Sequence, residues 1–159
     1  MSSAVIAIAS DHAGFPLKSD LAVRLRTSGY EVVDLGTDGT ASVDYPDFAV
    51  AMAAALRDGR AQRGILICGT GLGISIAANR YPWVRAALCH DVTTARLSRE
   101  HNDANVIVLG GRLIGVELAW ECVDAFLATD FGGDRHSRRV AKLTTPPELA
   151  DAAIRTTDG

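Results

Sequence analysis

The sequence predicts an α/β domain organised on a parallel sheet, and three observations lead there. Strand-like and helix-like segments alternate about five times along the chain. The first strand-like run, Ala4 to Ala9, is apolar throughout, as suits a parallel strand covered on both faces. Polar clusters follow the strands, with Asp11-His12 after the first, Cys68 to Gly73 after the third and His90-Asp91 after the fourth. Open α/β sheets place their ligands at those ends.

After Ala9 the chain turns abruptly polar at Ser10-Asp11-His12-Ala13-Gly14. Pro16 suits the first turn of a helix, Leu17, Leu21 and Leu25 mark its buried face, and Gly29 stops it. Tyr30 to Leu35 is the second strand, closed by Gly36, and a polar loop from Thr37 to Tyr45 contains an Asp38-Gly39 turn. Asp44-Tyr45-Pro46 leads into a helix from Asp47 to Asp58, with Phe48, Met52, Ala55 and Leu56 inward and Gly59 at its end. Ile65 to Cys68 is the third strand, and Ile74, Ile76, Ala77 and Ala78 suit a buried helix behind it. The fourth strand, Arg85 to Cys89, precedes His90-Asp91 and a helical stretch from Val92 to His101. Asn105 to Leu109 is the fifth strand, stopped by Gly110-Gly111. A helix from Gly115 to about Ala128 turns Val116, Ala119, Cys122, Val123, Phe126 and Leu127 to the core. Past Gly132-Gly133 an amphipathic segment runs to Leu143, Pro146-Pro147 interrupts it, and Glu148 to Gly159 reads as a short helix with a frayed tail. Residues 1–145 are read as one domain and residues 146–159 as a C-terminal extension.

The centre of the chain is Gly64 to Arg80, where the third strand meets glycines at alternate positions, Gly69, Gly71 and Gly73. Such glycines let the backbone bring several N–H groups close to a ligand, and a helix start adds unsatisfied donors and partial positive charge. The loop is therefore an anion site with Cys68 at its mouth. A thiol in such surroundings ionises more readily than a free one and then serves as nucleophile or base. The plainer reading makes Cys68 a small core residue at the end of a buried strand. The spacing is neither that of a phosphate loop, since no Lys follows, nor that of a dinucleotide fingerprint, since Ile74 stands where the third glycine belongs.

A length of 159 residues allows one domain with a sizeable core. A net charge of −3 supplies no general attraction for nucleic acid, so any cationic site is local. Three cysteines, an odd number without a C-x-x-C pair or a histidine cluster, argue against a disulfide framework or a metal site. Reduced thiols suit the cytoplasm. No basic region followed by a long apolar stretch opens the sequence and no run is long enough to cross a bilayer, so no membrane contact is expected.

Smaller constellations carry two readings each. Asp11-His12 is either a helix cap with a surface histidine or part of a site beside the loop. His101-Asn102-Asp103 either ends a helix or presents an acid-base imidazole. Arg135, Arg138 and Arg139 form a basic run of the kind that usually faces solvent, yet Arg135 and Arg139 share one helical side and can clamp a phosphate. Tyr45 reads as packing or as a ligand contact. Cys89 and Cys122 are expected in the core, and His90 and His136 have weaker functional cases than His12 and His101.

Taken together, these residues resemble the type B ribose-5-phosphate isomerases and their galactose-6-phosphate and allose-6-phosphate isomerase relatives. The resemblance rests on Ser10 to Gly14, Asp44-Tyr45-Pro46-Asp47, Gly64 to Arg80, Leu97 to Asn105, Gly110-Gly111-Arg112 and Arg135 to Arg139. It implies a three-layer, Rossmann-like α/β/α fold with five parallel strands in the order 2-1-3-5-4. It also implies a homodimer or homotetramer with each active site between two subunits, and no metal or other cofactor. The implied chemistry is aldose–ketose interconversion through an enediolate. Cys68 is the implied base between C2 and C1. His101 from the neighbouring subunit opens the furanose ring with help from Asp11, Thr70 shuttles protons between the sugar oxygens, and the N–H groups of Gly69 to Gly73 hold the enediolate. His12, Arg112, Arg135 and Arg139 match phosphate-binding positions, Asn102 a sugar-contacting one, and Tyr45 falls within a matching stretch. One branch of the family carries a glutamate base directly after the last loop glycine; here that residue is Ile74, which accepts no proton. The leading expectation is a ribose 5-phosphate isomerase. Its alternatives are the same chemistry on a six-carbon or four-carbon sugar phosphate, a non-catalytic phosphate-binding subunit, or a nucleotide-binding module. The tail from about Thr145 extends past the end of many relatives.

Overall fold

The computed structural model describes residues 4–149. Its strands are β1 (Val5–Ser10), β2 (Glu31–Asp34), β3 (Arg63–Cys68), β4 (Ala86–Leu88) and β5 (Val106–Gly110). All pair in parallel, in the order β2-β1-β3-β5-β4. The described helices are α1 (Phe15–Thr27), α2 (Tyr45–Arg57), α3 (Leu72–Ala78), α4 (Val92–Glu100), α5 (Val116–Ala128) and α6 (Arg135–Thr144). The expected helix over residues 148–159 falls almost wholly outside the described residues.

Strand alternation divides the core in two. Ile6, Ile8, Ile65, Ile67, Ile107 and Leu109 face α1, α4 and α5, where Leu21, Ala95, Cys122 and Phe126 meet them. Ala7, Ala9, Leu66, Cys68, Val106 and Val108 face α2 and α3, where Met52, Ala53 and Ile74 meet them. The second layer is built from small groups, so α2 comes close to the sheet. A Cβ at Gly64 would lie 2.3 Å from the Met52 sulfur. This close approach brings the start of α2 over the ends of the central strands.

Several local expectations shift. The second helix begins at Tyr45, with Pro46 in its first turn, and buries Ala49, Met52, Ala53 and Ala55, leaving Phe48 and Leu56 half-buried. Ile76, expected inside, is 65% exposed. The reason is helical periodicity: α3 meets the core through Ile74 and Ala78, four residues apart on one face, and Ile76, midway between them, points to the other side. Lys18, which nothing in the sequence pattern marks as internal, is 1% exposed and bonded to Asp34 at 2.6 Å. Cys89 and Cys122 are core residues. Burial pushes the Cys122 thiol up to about 11 and raises that of Cys89 as well.

Candidate active site

β1 lies between β2 and β3, so strand order reverses there and the segments leaving β1 and β3 depart to opposite faces. The crevice at that switch point is the standard ligand position of an open α/β sheet. Three strand ends meet at it. The Asp11 N–H donates to the Ile67 carbonyl at 3.2 Å, the Gly111 N–H to the Cys68 carbonyl at 2.8 Å, and the Arg112 N–H to the Gly69 carbonyl at 3.0 Å. Close contact makes small residues obligatory: a Cβ at Gly14 would lie 2.7 Å from the Ile67 oxygen, and one at Gly110 2.8 Å from the Thr70 oxygen.

Cys68 ends β3 at 4% exposure, and the Gly71 N–H points at its Sγ from 3.2 Å. That contact strengthens when sulfur carries negative charge. Gly71 adopts φ 79°, in the left-handed region, and a Cβ there would meet Leu88 at 2.5 Å. The Thr70 hydroxyl accepts the Leu72 N–H at 3.2 Å and so stands on the same turn as the thiol. The Arg112 guanidinium lies against Gly69, 3.4 Å from where a Cβ would be.

A cavity of about 420 Å³ opens beside this loop, lined by Asp11, His12, Val43, Asp44, Tyr45, Pro46 and Asp47. Asp11 Oδ1 accepts the N–H groups of Ala13 and Gly14 at 3.0 Å each, which is the capping role. Oδ2 takes no hydrogen bond from the described residues, so one carboxylate serves both the turn and the cavity. His12 Nδ1 accepts the Val43 N–H at 3.2 Å, which in the neutral ring leaves the proton on Nε2. The Tyr45 ring rests against Gly73 at the cavity wall. Val43, Asp44 and Asp47 line the cavity as well, though the sequence signalled only their stretch and assigned them no role. His90 Nε2 accepts the Gly110 N–H at 3.1 Å and buttresses the end of β5.

The remaining candidates lie elsewhere. α4 leaves the carboxyl end of β4, where Asp91 caps it by accepting the Thr94 N–H, and runs back along the sheet. Its end therefore lies at the amino edge, where the Asn105 N–H donates to the Arg85 carbonyl just before β4. His101 and Asn102 sit there, separated from Cys68 by the length of β5, roughly 17 Å. The His101 ring stacks on His136, with centroids 4.4 Å apart and planes inclined by 14°. Partial burial, His101, Arg135 and Arg139 together hold the His136 imidazole below its usual range. Arg135 and Arg139, one turn apart on α6, belong to this group.

One chain thus carries two clusters of candidate residues at opposite ends of the parallel strands. The first holds a thiol, a hydroxyl, backbone donors, the carboxylates of Asp11, Asp44 and Asp47, the His12 imidazole and the Arg112 guanidinium; the second holds His101, His136, Arg135 and Arg139. A parallel-sheet domain with a thiol on a glycine loop at its switch point, beside a cavity the size of a small metabolite, is an α/β enzyme equipped for proton transfer on a small anion. The chain belongs to the ribose/galactose isomerase family, whose profile matches residues 6–143. It is 47% identical over 139 residues to ribose-5-phosphate isomerase B of Escherichia coli, covering 87% of this chain and 93% of that one. It is 44% identical to D-erythrulose-4-phosphate isomerase of Pectobacterium atrosepticum, covering 87% and 91%. A ribose 5-phosphate isomerase from Thermotoga maritima superposes with a TM-score of 0.88 at 54% identity, covering 90% of this chain and 99% of that one. The protein is an isomerase of this family.

Proposed function

We propose that the protein interconverts ribose 5-phosphate and ribulose 5-phosphate in an active site built from two copies of the chain. The observation that carries this reading is the placement of Cys68 and Thr70 together on the glycine loop, while the imidazole and arginines stand at the far edge of the same sheet. A second subunit is then needed to bring His101, Asn102, Arg135 and Arg139 to the cavity.

The phosphate is held by His12 Nε2–H, Arg112 and the partner's pair of arginines, which also offset the carboxylates of the cavity. Ring opening moves the O1 proton to Asp11 Oδ2 as the C1–O4 bond breaks and His101 protonates O4. The Cys68 thiolate then takes the C2 proton, and the electron pair moves to leave an enediolate whose O1 charge meets the N–H groups of the loop. Thr70 passes the O2 proton to O1. Cys68 returns its proton to C1, leaving the carbonyl at C2. The thiol ends as it began, and every step is a proton transfer within reach of a fixed group.

The Pectobacterium atrosepticum relative favours a second reading, the same chemistry on a four-carbon phosphate. Three free thiols fit a cytoplasmic protein. The isomerase domain is taken to end at residue 145, in keeping with the family match, and residues 146–159 to be an extension. The test is an NMR time course in D₂O with ribose 5-phosphate, followed by erythrose 4-phosphate, allose 6-phosphate and galactose 6-phosphate. Rapid formation of ribulose 5-phosphate with deuterium at C1 is the expected result. A faster reaction with another sugar moves the substrate and keeps the residue roles, while silence on all four defeats the enzymatic reading.

A further inference from the structure

The loop that carries His101 and Asn102 is held by an arrangement the proposed chemistry does not use. Asp103 adopts φ 47°, left-handed for a residue with a side chain, which sets where the two preceding residues project. Both of its carboxylate oxygens are taken by arginines. Arg99, 5% exposed, donates to Oδ1 at 2.8 Å and to the Ala104 carbonyl at 2.6 Å. Its guanidinium lies 5.8 Å from the centre of the Phe126 ring. Arg85 reaches from just before β4, donating through Nε to the Asp103 carbonyl at 2.8 Å and through Nη2 to Oδ2 at 3.3 Å. Arg99 closes its own helix end and donates through Nε to the Thr129 carbonyl at 3.2 Å. Asn105 ties the end of this loop to the chain entering β4, its Oδ1 accepting the Arg85 N–H at 2.8 Å and its amide donating to the Trp83 carbonyl at 2.8 Å. The Arg85 side chain is the group that reaches Asp103 itself from there.

Two guanidiniums on one half-buried carboxylate leave an excess positive charge, which is a poor stability device. It is an effective way to make a loop rigid, because a forked donor fixes a carbonyl and a carboxylate together. Rigidity matters here since His101 must meet a substrate held by another subunit, and acid-base geometry tolerates errors of only about half an ångström. We propose that Arg85 is a positioning residue for ring opening, acting through Asp103 on His101. The inference rests on the reading of His101 as the ring-opening acid.

Ribose 5-phosphate closes to a furanose, whereas ribulose 5-phosphate cannot, because its C5 hydroxyl is esterified and its carbonyl is at C2. Exchange of the ribulose 5-phosphate C1 proton in D₂O therefore reports enediolate formation without any ring step. Arg85→Lys keeps the charge and loses the fork; Arg85→Gln loses both. Each is compared with wild type and His101→Asn for two rates at saturation, conversion of ribose 5-phosphate and C1 exchange of ribulose 5-phosphate. Conversion is expected to fall about tenfold or more in all three variants while exchange stays within about twofold of wild type. If His101→Asn shows this split and neither Arg85 variant does, the inference falls and the reading of His101 stands. If His101→Asn lowers both rates together, or neither, that reading falls and takes the inference with it. A general loss of structure lowers both rates in the Arg85 variants and counts against the proposal; should Arg85→Gln fail to fold, Arg85→Lys alone decides.

Discussion

The Tyr45 ring lies directly on Gly73: a Cβ at that glycine would stand 2.5 Å from Cζ and 2.8 Å from the hydroxyl oxygen. The contact joins the first residue of α2 to the start of α3 and makes Tyr45, 40% exposed, a wall of the cavity.

Gly73→Ala is accordingly expected to displace the far end of Tyr45 and leave the fold intact, since alanine favours a helix by about 1 kcal/mol over glycine. KM for the sugar phosphate should rise severalfold with little change in melting temperature. Gly71→Ala should behave in the opposite way, losing stability, because its left-handed φ and the Leu109 backbone 3.1 Å away cannot yield. Equal effects of the two substitutions on Tm and KM would disprove this division of roles.

Cys68→Ala should lower kcat by at least about a thousandfold while sugar-phosphate affinity, read by calorimetry, stays near the wild-type value. Substantial residual turnover would remove Cys68 from the mechanism.

The three thiols should also separate chemically. At pH 8 a thiol pushed up to about 11 is only about one part in a thousand ionised, and the raised Cys89 follows the same direction. Alkylation of the native protein should therefore label Cys68 alone, with ribose 5-phosphate protecting it. As pH rises toward 11, labelling at Cys122 should begin. Comparable labelling of Cys122 and Cys68 at pH 8, read by peptide mass spectrometry, would contradict this account.

The proposed sharing of the site between subunits predicts complementation. Cys68→Ala and His101→Asn chains, each of low activity alone, should regain activity when dissociated and reassembled together. A mixed dimer then has one site with both residues intact, so a random mixture recovers about a quarter of wild-type activity. No recovery, with mixed dimers demonstrated by mass, would return the site to a single chain.

The buried pair Lys18–Asp34 predicts an asymmetry in stability. Asp34→Ala leaves an ammonium sealed from water and should cost about 3 kcal/mol. Lys18→Met fills the same space against Phe15 and leaves a carboxylate that is 36% exposed and still bonded to the Gly36 N–H, so the loss should be clearly smaller. Urea denaturation of both variants decides the order.

Much of the fold was legible because its signals are local. The apolar run Ala4 to Ala9, the glycines after Cys68 and the leucines of α1 each report a conformation that neighbouring residues impose on one another, and the element order follows from their succession. The loop at Gly69 to Gly73 could be placed on a strand-to-helix turn for the same reason. The reading slipped at two places: Ile76 sits outside because it lies midway between Ile74 and Ala78 and so on the opposite side of α3, and Lys18 of α1 sits inside because Asp34, at the end of β2, neutralises it.

The residues alone fix the chemistry available, a thiol and hydroxyl on a glycine loop in the middle of the chain and imidazoles and guanidiniums from His101 to Arg139. How these groups are distributed in space follows from the chain's path through the sheet. Each helix of a parallel sheet returns the chain to the opposite edge, so residues after a strand and residues after a helix end about a strand's length apart. Cys68 follows a strand and His101 follows a helix. That single alternation, invisible in residue spacing, sets the two groups about a strand's length apart, and the site proposed above needs a second copy of the chain to reunite them.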